Sequence, residues 1–293
     1  MSKVEEILLQ IRQRRIAIRS KWLANQGFSG NYRSAFKGMG MRFKEVREYQ
    51  PGDDERFIDW NVTARMGYLF TRVFEEEREL PVYLLADISS SMSFGSHMSK
   101  RELITRLCAD LSYSAISNND KAGLLLFCEK VEKYIKPQKK PEHVEYIARE
   151  LYSAKPVLAK TNLLKALEYL NNKSITHHRS IVFILSDFVT ENYENILGTV
   201  ARRHDVIGLR VYDKYDKELP RAGWLQVRDF ETGAIKMLNT SSARVRREYE
   251  KQFQQMTENT VSTFKKAGAA LLSLETGKEY IHELRHFFLQ RSR

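Results

Sequence analysis

The chain has 293 residues, 42% of them hydrophobic and 29% charged. That is the balance of a globular protein with enough apolar material for a core, which excludes wholesale disorder and leaves no need for a metal or disulfide staple. Forty-eight Lys and Arg against 37 Asp and Glu give a formal charge of +11, a value that raises nucleic acid or an acidic membrane surface as a partner. The excess is spread along the chain, however. Its densest clusters, Arg12 to Arg15 and Arg244 to Arg247, fall on predicted amphipathic helices, where charge marks a solvated face. The two cysteines, Cys108 and Cys128, sit in apolar surroundings and make no disulfide framework, which fits a reducing compartment. With no apolar run of roughly 18 residues and no secretory h-region after Met1, a cytosolic location is expected.

In chain order, residues 2–25 carry Ile7, Leu8, Ile11, Ala17, Ile18, Trp22 and Leu23 at helical spacing. Residues 26–40 are rich in Gly, Ser and Asn and read as loop. Extended pieces are predicted around 41–49 and 68–74, with a turn at Pro51-Gly52-Asp53, where Gly52 after proline suits the positive φ of a type II turn. Asp53, Asp54, Arg56, Asp59 and Arg65 alternate in sign, which reads first as a buried or semi-buried ion-pair network and alternatively as a docking surface for a partner, with Trp60 expected in the core. From residue 80 the texture changes. Short apolar strands are predicted at 81–87, 122–127, 180–187, 205–212 and 269–274, with an edge strand at 130–136. Between them lie predicted helices at 100–117, 141–152, 163–171, 192–203, 242–266 and 277–290, and a hairpin at 224–238 turns around Glu231-Thr232-Gly233. This alternation predicts an α/β fold with a doubly wound, mainly parallel sheet covered on both faces. A smaller N-terminal domain of helix plus extended segments precedes it, with the boundary after the acidic run Glu75-Glu76-Glu77 giving domains 1–78 and 79–293.

In an open parallel α/β sheet, ligands bind at the carboxyl ends of the strands. The strand at 82–86 ends in Asp87-Ile88-Ser89-Ser90-Ser91, that at 180–186 ends in Asp187, and Lys160-Thr161-Asn162 leads into the helix beginning near 163. Asp87, Ser89, Ser91, Thr161 and Asp187 are all hard oxygen donors, which suit Mg²⁺, Mn²⁺ or Ca²⁺ and suit zinc poorly. Mg²⁺ takes only one or two protein carboxylates, so such a site leaves room for a carboxylate from another molecule. The same residues also serve as ordinary turn and N-cap residues, and Asp-x-Ser-x-Ser alone is a weak pattern.

Residues 80–293 resemble a von Willebrand factor type A domain. Asp87, Ser89 and Ser91 match the first element of its metal-ion-dependent adhesion site, Thr161 its threonine loop and Asp187 its distal aspartate. The resemblance implies that Ser89, Ser91 and Thr161 offer hydroxyls to the ion and that Asp87 and Asp187 act directly or through water. A partner's Asp or Glu would complete the coordination. Asn162 departs from the pattern, standing where an acid often follows the threonine. Residues 38–65 resemble the signature of the bacterial family called domain of unknown function 58. They do so through Gly38 and Gly40, Arg47-Glu48-Tyr49, Pro51-Gly52-Asp53-Asp54, Arg56, Ile58-Asp59-Trp60 and Ala64-Arg65. Genes of that family often neighbour MoxR-type AAA+ ATPases, which implies a chaperone or assembly partnership for a non-enzymatic interaction module.

Rival readings are weaker. His282-Glu283-Leu284-Arg285-His286 fits the His-Glu-x-x-His helix of zinc peptidases, but it also fits a last amphipathic helix whose apolar face is Tyr280, Ile281, Leu284, Phe287 and Phe288. His177-His178 lies in a polar loop without a nearby cysteine. A phosphate-cradling Gly-x-x-x-x-Gly-Lys-Ser/Thr and a Gly-x-Ser-x-Gly elbow are absent. A phosphoryl-transfer Asp87 would want a second acid where Ser89 stands.

Overall fold

The structure is a computed structural model that describes residues 5–7, 41–76, 80–154, 160–172, 175–176, 178–228 and 234–291. The chain divides into two compact units. One is Ser29–Glu79, and the other is Leu80–Arg293 together with Met1–Phe28. Most of the helix expected over 2–25, the loop at 26–40 and the hairpin turn at 231–233 lie outside the described residues.

In the smaller unit, β1 (Met41–Glu48) pairs antiparallel with β2 (Phe70–Glu76), with a register shift between Phe43 and Glu45. The Pro51-Gly52 turn forms as expected. Asp53 N donates to Gln50 O at 2.9 Å and Gly52 has φ +108°, a region closed to most side chains. Helix α1 (Trp60–Met66) was not anticipated, because it lacks a periodic apolar stripe. It is defined by its ends: Asp59 accepts from the Asn61 and Val62 N–H groups, and Gly67 closes it at φ +78°.

Two expectations are overturned here. Trp60, at the first position of α1, is 66% exposed rather than in the core. The charges pair locally, each arginine at the surface, rather than forming a fully buried network. Arg47 meets Asp53 at 2.8 Å, Arg56 meets Asp54 at 2.7 Å and Arg72 meets Asp59 at 2.9 Å, and every arginine of the three is well exposed. The carboxylates are spent locally, as turn and cap acceptors for the Gln50, Arg56 and Asn61 N–H groups.

The larger unit holds a six-stranded sheet. Its strands are β3 (Pro81–Asp87), β4 (Lys121–Phe127), β5 (Val131–Gln138), β6 (Ile181–Ser186), β7 (Asp205–Tyr212) and β10 (Ala270–Glu275). The spatial order is β10-β7-β6-β3-β4-β5, parallel throughout except for β5, the edge strand, which runs against β4. The strands alternate sides as their two-residue period requires. Val82, Leu84 and Ala86 face α2 (Lys100–Ser117), α3 (Glu142–Ser153) and α8 (Ile281–Arg291) through Leu103, Leu107, Ile147, Leu284 and Phe288. Tyr83 and Leu85 face α4 (Leu163–Asn171), α5 (Glu194–Arg203) and α7 (Ala243–Ala267) through Leu167, Leu197 and Phe264. This is the doubly wound, mainly parallel arrangement expected from the alternating strands and helices. Outside the sheet, a four-residue helix α6 (Lys214–Lys217) follows β7, and β8 (Trp224–Arg228) pairs with β9 (Ile235–Asn239) as a separate hairpin. Ile7 packs with Ala109, Val144 and Ala148. Among the described residues no helix is long and apolar enough to cross a membrane.

Candidate metal centre

Three segments carry the site, and local chain chemistry brings each to the carboxyl edge of the sheet. The first is the end of β3. Buried on both faces up to Asp87, the strand gives way to a turn in which Asp87 Oδ1 accepts from Ser89 N at 2.9 Å. The chain then enters a short 3₁₀ helix, Ser90–Ser93, with Ser89 at its N-cap position. This turn brings Ser89 Oγ to within 3.1 Å of Ser91 Oγ.

The second segment precedes α4. Asn162 N donates to Cys128 O at 2.8 Å, which anchors the loop to the end of β4, while the Asn162 side chain accepts from Lys165 N and caps the helix. Capping is a task an asparagine performs as well as an acid, so the departure noted in the sequence leaves Thr161 in place. The Thr161 hydroxyl lies 3.0 Å from Ser89 Oγ and 3.2 Å from Asp87 Oδ2. It has one proton and can donate to only one of them.

The third segment is the end of β6, where Ser186 donates to Asp87 Oδ2 at 2.7 Å. Phe188, at φ +58°, turns the chain sharply after Asp187. Its buried ring is held against Phe264 at 5.0 Å, and its N–H donates to Ser186 Oγ. Thr190 ties this loop back to the other segments by donating to Thr161 O at 2.9 Å.

Asp87, Ser89, Ser91 and Thr161 thus form one continuous chain of oxygens. Asp187 stands beside it in a different role. It joins none of these hydroxyl contacts, and its Oδ2 is instead 3.2 Å from Lys100 Nζ. Its proximity to Asp87 is nonetheless electrostatically plain. Burial, and after it the charge of Asp187, push the Asp87 carboxyl up to about 6, against the hydrogen bonds from Ser186 and Ser89. The partners of Asp87 are neutral hydroxyl and amide groups. A buried carboxylate among hydroxyls, with no ion-pair partner among the described residues, is a donor set that a hard divalent ion fits, because the ion offsets the charge that burial makes costly.

The sequence pattern did not flag Ser186, Lys100 or Asp216. Lys100 Nζ also lies 2.8 Å from Asp216 Oδ2, in α6. A signal for Lys100 was available: Lys100 and Arg101 open a helix, where the macrodipole disfavours cations, so their placement there asks for nearby carboxylates. For Ser186 and Asp216 the sequence carries no such signal.

Elsewhere, His282, Glu283 and His286 lie on the exposed side of α8, whose other side buries Ile281, Leu284 and Phe288. Among the described residues no group of three or more His, Cys, Asp or Glu side chains is gathered to hold a metal. His178 is exposed, and His177 lies outside the described residues. Cys108 and Cys128 are buried free thiols, both pushed up by burial.

A doubly wound sheet of this strand order, antiparallel only at its β5 edge, is a von Willebrand factor A-like fold. The chain belongs to the family described as "Protein of unknown function DUF58", whose model matches residues 45–259 and so spans parts of both units. An uncharacterized protein of Mycobacterium bovis is 28% identical over 268 residues, covering 90% of this chain and 84% of that protein. The uncharacterized protein YeaD of Bacillus subtilis is 35% identical over 107 residues, covering 36% of this chain and 25% of YeaD. Among solved structures, the conserved hypothetical protein BatB from Bacteroides thetaiotaomicron aligns with a TM-score of 0.48 at 17% identity, covering 73% of this chain and 98% of that one. The SpRpn10 VWA domain aligns with a TM-score of 0.38 at 10% identity, covering 71% and 94%.

Proposed function

We propose that this protein is a non-enzymatic interaction module that captures an acidic side chain of a protein partner through a divalent cation. Ser89, Ser91 and Thr161 would hold the ion through hydroxyl lone pairs, with Asp87 and Asp187 acting directly or through water. When bound, the ion supplies a fixed positive charge with an open position for a partner Asp or Glu. The observation that carries this reading is the buried Asp87 carboxylate, surrounded by hydroxyls from three separate segments and pushed up to about 6. Mg²⁺ suits the set best, with Mn²⁺ and Ca²⁺ as alternatives. The family resemblance favours a MoxR-type AAA+ ATPase system as the partner.

The test has two arms. Calorimetric titration with Mg²⁺ and Mn²⁺ is expected to give saturable heat in the wild type and none in Asp87→Ala or the Ser89→Ala/Ser91→Ala pair. Affinity capture with a MoxR-type ATPase as bait is expected to succeed in Mg²⁺ and fail in EDTA or with either variant. Equal heat from wild type and Asp87→Ala would remove the metal reading. Capture that ignores EDTA but falls over several decades with salt would point to a purely electrostatic contact.

A further inference from the structure

The carboxyl edge of the sheet carries a cation of its own. Lys100, at the first position of α2, has a side chain only 5% exposed, and its ammonium lies 3.2 Å from Asp187 Oδ2 and 2.8 Å from Asp216 Oδ2. It is fixed from both ends. Ser99 caps the start of its helix by accepting from Glu102 N. Asp216 is held in a capping box, accepting from Asp213 N at 2.8 Å. Asp213 in turn accepts from Ser96 N and Ser96 Oγ, both at 2.9 Å, and from Thr276. Two carboxylates at ion-pair distance offset the cost of burying the ammonium. Two further cations act on the cluster through their charge, Arg101 on Asp87 and Arg210 on Asp187 and Asp216. Three carboxylates therefore meet three protein cations before any metal arrives.

We infer that Lys100 sets the metal affinity of this site: as the built-in counter-ion of Asp187, it holds down the affinity for a divalent cation when no partner carboxylate is present. This inference rests on the proposed metal reading and deepens it. Asp87 is left to hold the ion with hydroxyls, while Asp187, already neutralised, contributes little net attraction. The repulsion between an ammonium and a divalent ion sharing one carboxylate is appreciable even at an effective dielectric constant of about 20. Once the ion is in place, the cluster carries a net positive charge. An incoming Asp or Glu removes that excess, so the metal is retained best together with an acidic partner.

The experiment is Mn²⁺ titration of the full chain, followed by the electron paramagnetic resonance of free Mn²⁺, for wild type, Lys100→Gln, Lys100→Met and Asp87→Ala. Loss of Lys100 is expected to tighten Mn²⁺ binding by at least about tenfold, or to create measurable binding where the wild type shows none. Damage to the fold alone would weaken binding, so a gain separates the two. Lys100→Gln keeps hydrogen-bonding capacity toward both carboxylates and carries the test if Lys100→Met fails to fold. Wild-type binding that Asp87→Ala abolishes but the Lys100 variants leave unchanged or weaken would overturn the role of Lys100 while the metal reading stands. No binding by wild type or by either Lys100 variant would overturn both.

Discussion

At the scale of single residues, burial decides which charged groups matter. The alternating charges of the family signature invite a reading as a structural network, yet Arg56 is exposed and pairs with Asp54 over a separation of two residues. Exposed pairs contribute little, so Arg56→Ala is expected to melt within about 1 °C of the wild type by calorimetry. A larger drop would restore the network. His204 is the opposite case. It ends α5, is buried, and neither ring nitrogen has a hydrogen-bond partner. Burial, and after it the charge of Arg203, lower its pKa to about 4. The folded state therefore resists protonation while the unfolded chain takes up a proton near 6.5. The stability contributed by the neutral ring is complete above about pH 6.5 and is lost as pH falls toward 4. His204→Leu removes the titration and two unsatisfied polar atoms. It is expected to gain about 1–2 kcal/mol over wild type at about pH 5 in urea unfolding, with a smaller difference at neutral pH. Parallel stability profiles for the two proteins from pH 7 to 5 would count against this assignment.

At the scale of elements, packing density leaves different tolerances at two glycines. A Cβ at Gly208, on β7, would sit 2.5 Å from Phe264 Cε1 and 2.7 Å from Leu271 Cδ1, where α7 and β10 press on the strand. Gly208→Ala is expected to cost about 1–3 kcal/mol by urea unfolding. Gly198, inside α5, has nothing within 4 Å of the same position, and Gly198→Ala is expected to add about 0.5–1 kcal/mol through helix propensity. Reversed signs would mean that the packing of α7 on β7 is misassigned. The strands and helices of the larger unit were legible because both periodicities are strong there. Continuous apolar runs such as Ile181 to Leu185 are bounded by polar turns, and helices such as α4 carry a clean apolar stripe. In the smaller unit the signal is weaker, since α1 is set by Asp59 and Gly67 at its ends rather than by buried side chains. The exposure of Trp60 follows from packing that no local pattern records. Within the site, Asp87, Ser89, Ser91 and Thr161 were legible because strand ends and a helix start place them in common. The pairing of Asp187 with Lys100 was not, because it joins positions 87 residues apart through side-chain reach alone.

At the scale of the whole molecule, the Asp87 carboxyl makes stability depend on pH, and the proposed metal site would make it depend on a cation as well. Because burial and then Asp187 push Asp87 up to about 6, the folded protein holds a proton there that the unfolded chain has released above about pH 4. Stability therefore falls as pH rises through that window, and the deficit persists at neutral pH unless a cation offsets the charge. Coordination needs the carboxylate form, so metal binding must compete with this proton below about pH 6. Binding to the folded state alone raises stability by mass action, by about 2.7 kcal/mol at a hundredfold excess over Kd. The expected outcome is a Mg²⁺-dependent rise in melting temperature that is large at about pH 7.5, small at about pH 5, and reversed by EDTA. Asp87→Asn imitates the protonated carboxyl. It is expected to melt higher than metal-free wild type at about pH 7.5 and to show no Mg²⁺ response at either pH. A Mg²⁺ response of equal size in both proteins, or one indifferent to pH, would trace the effect to scattered surface carboxylates and take the metal centre away from Asp87.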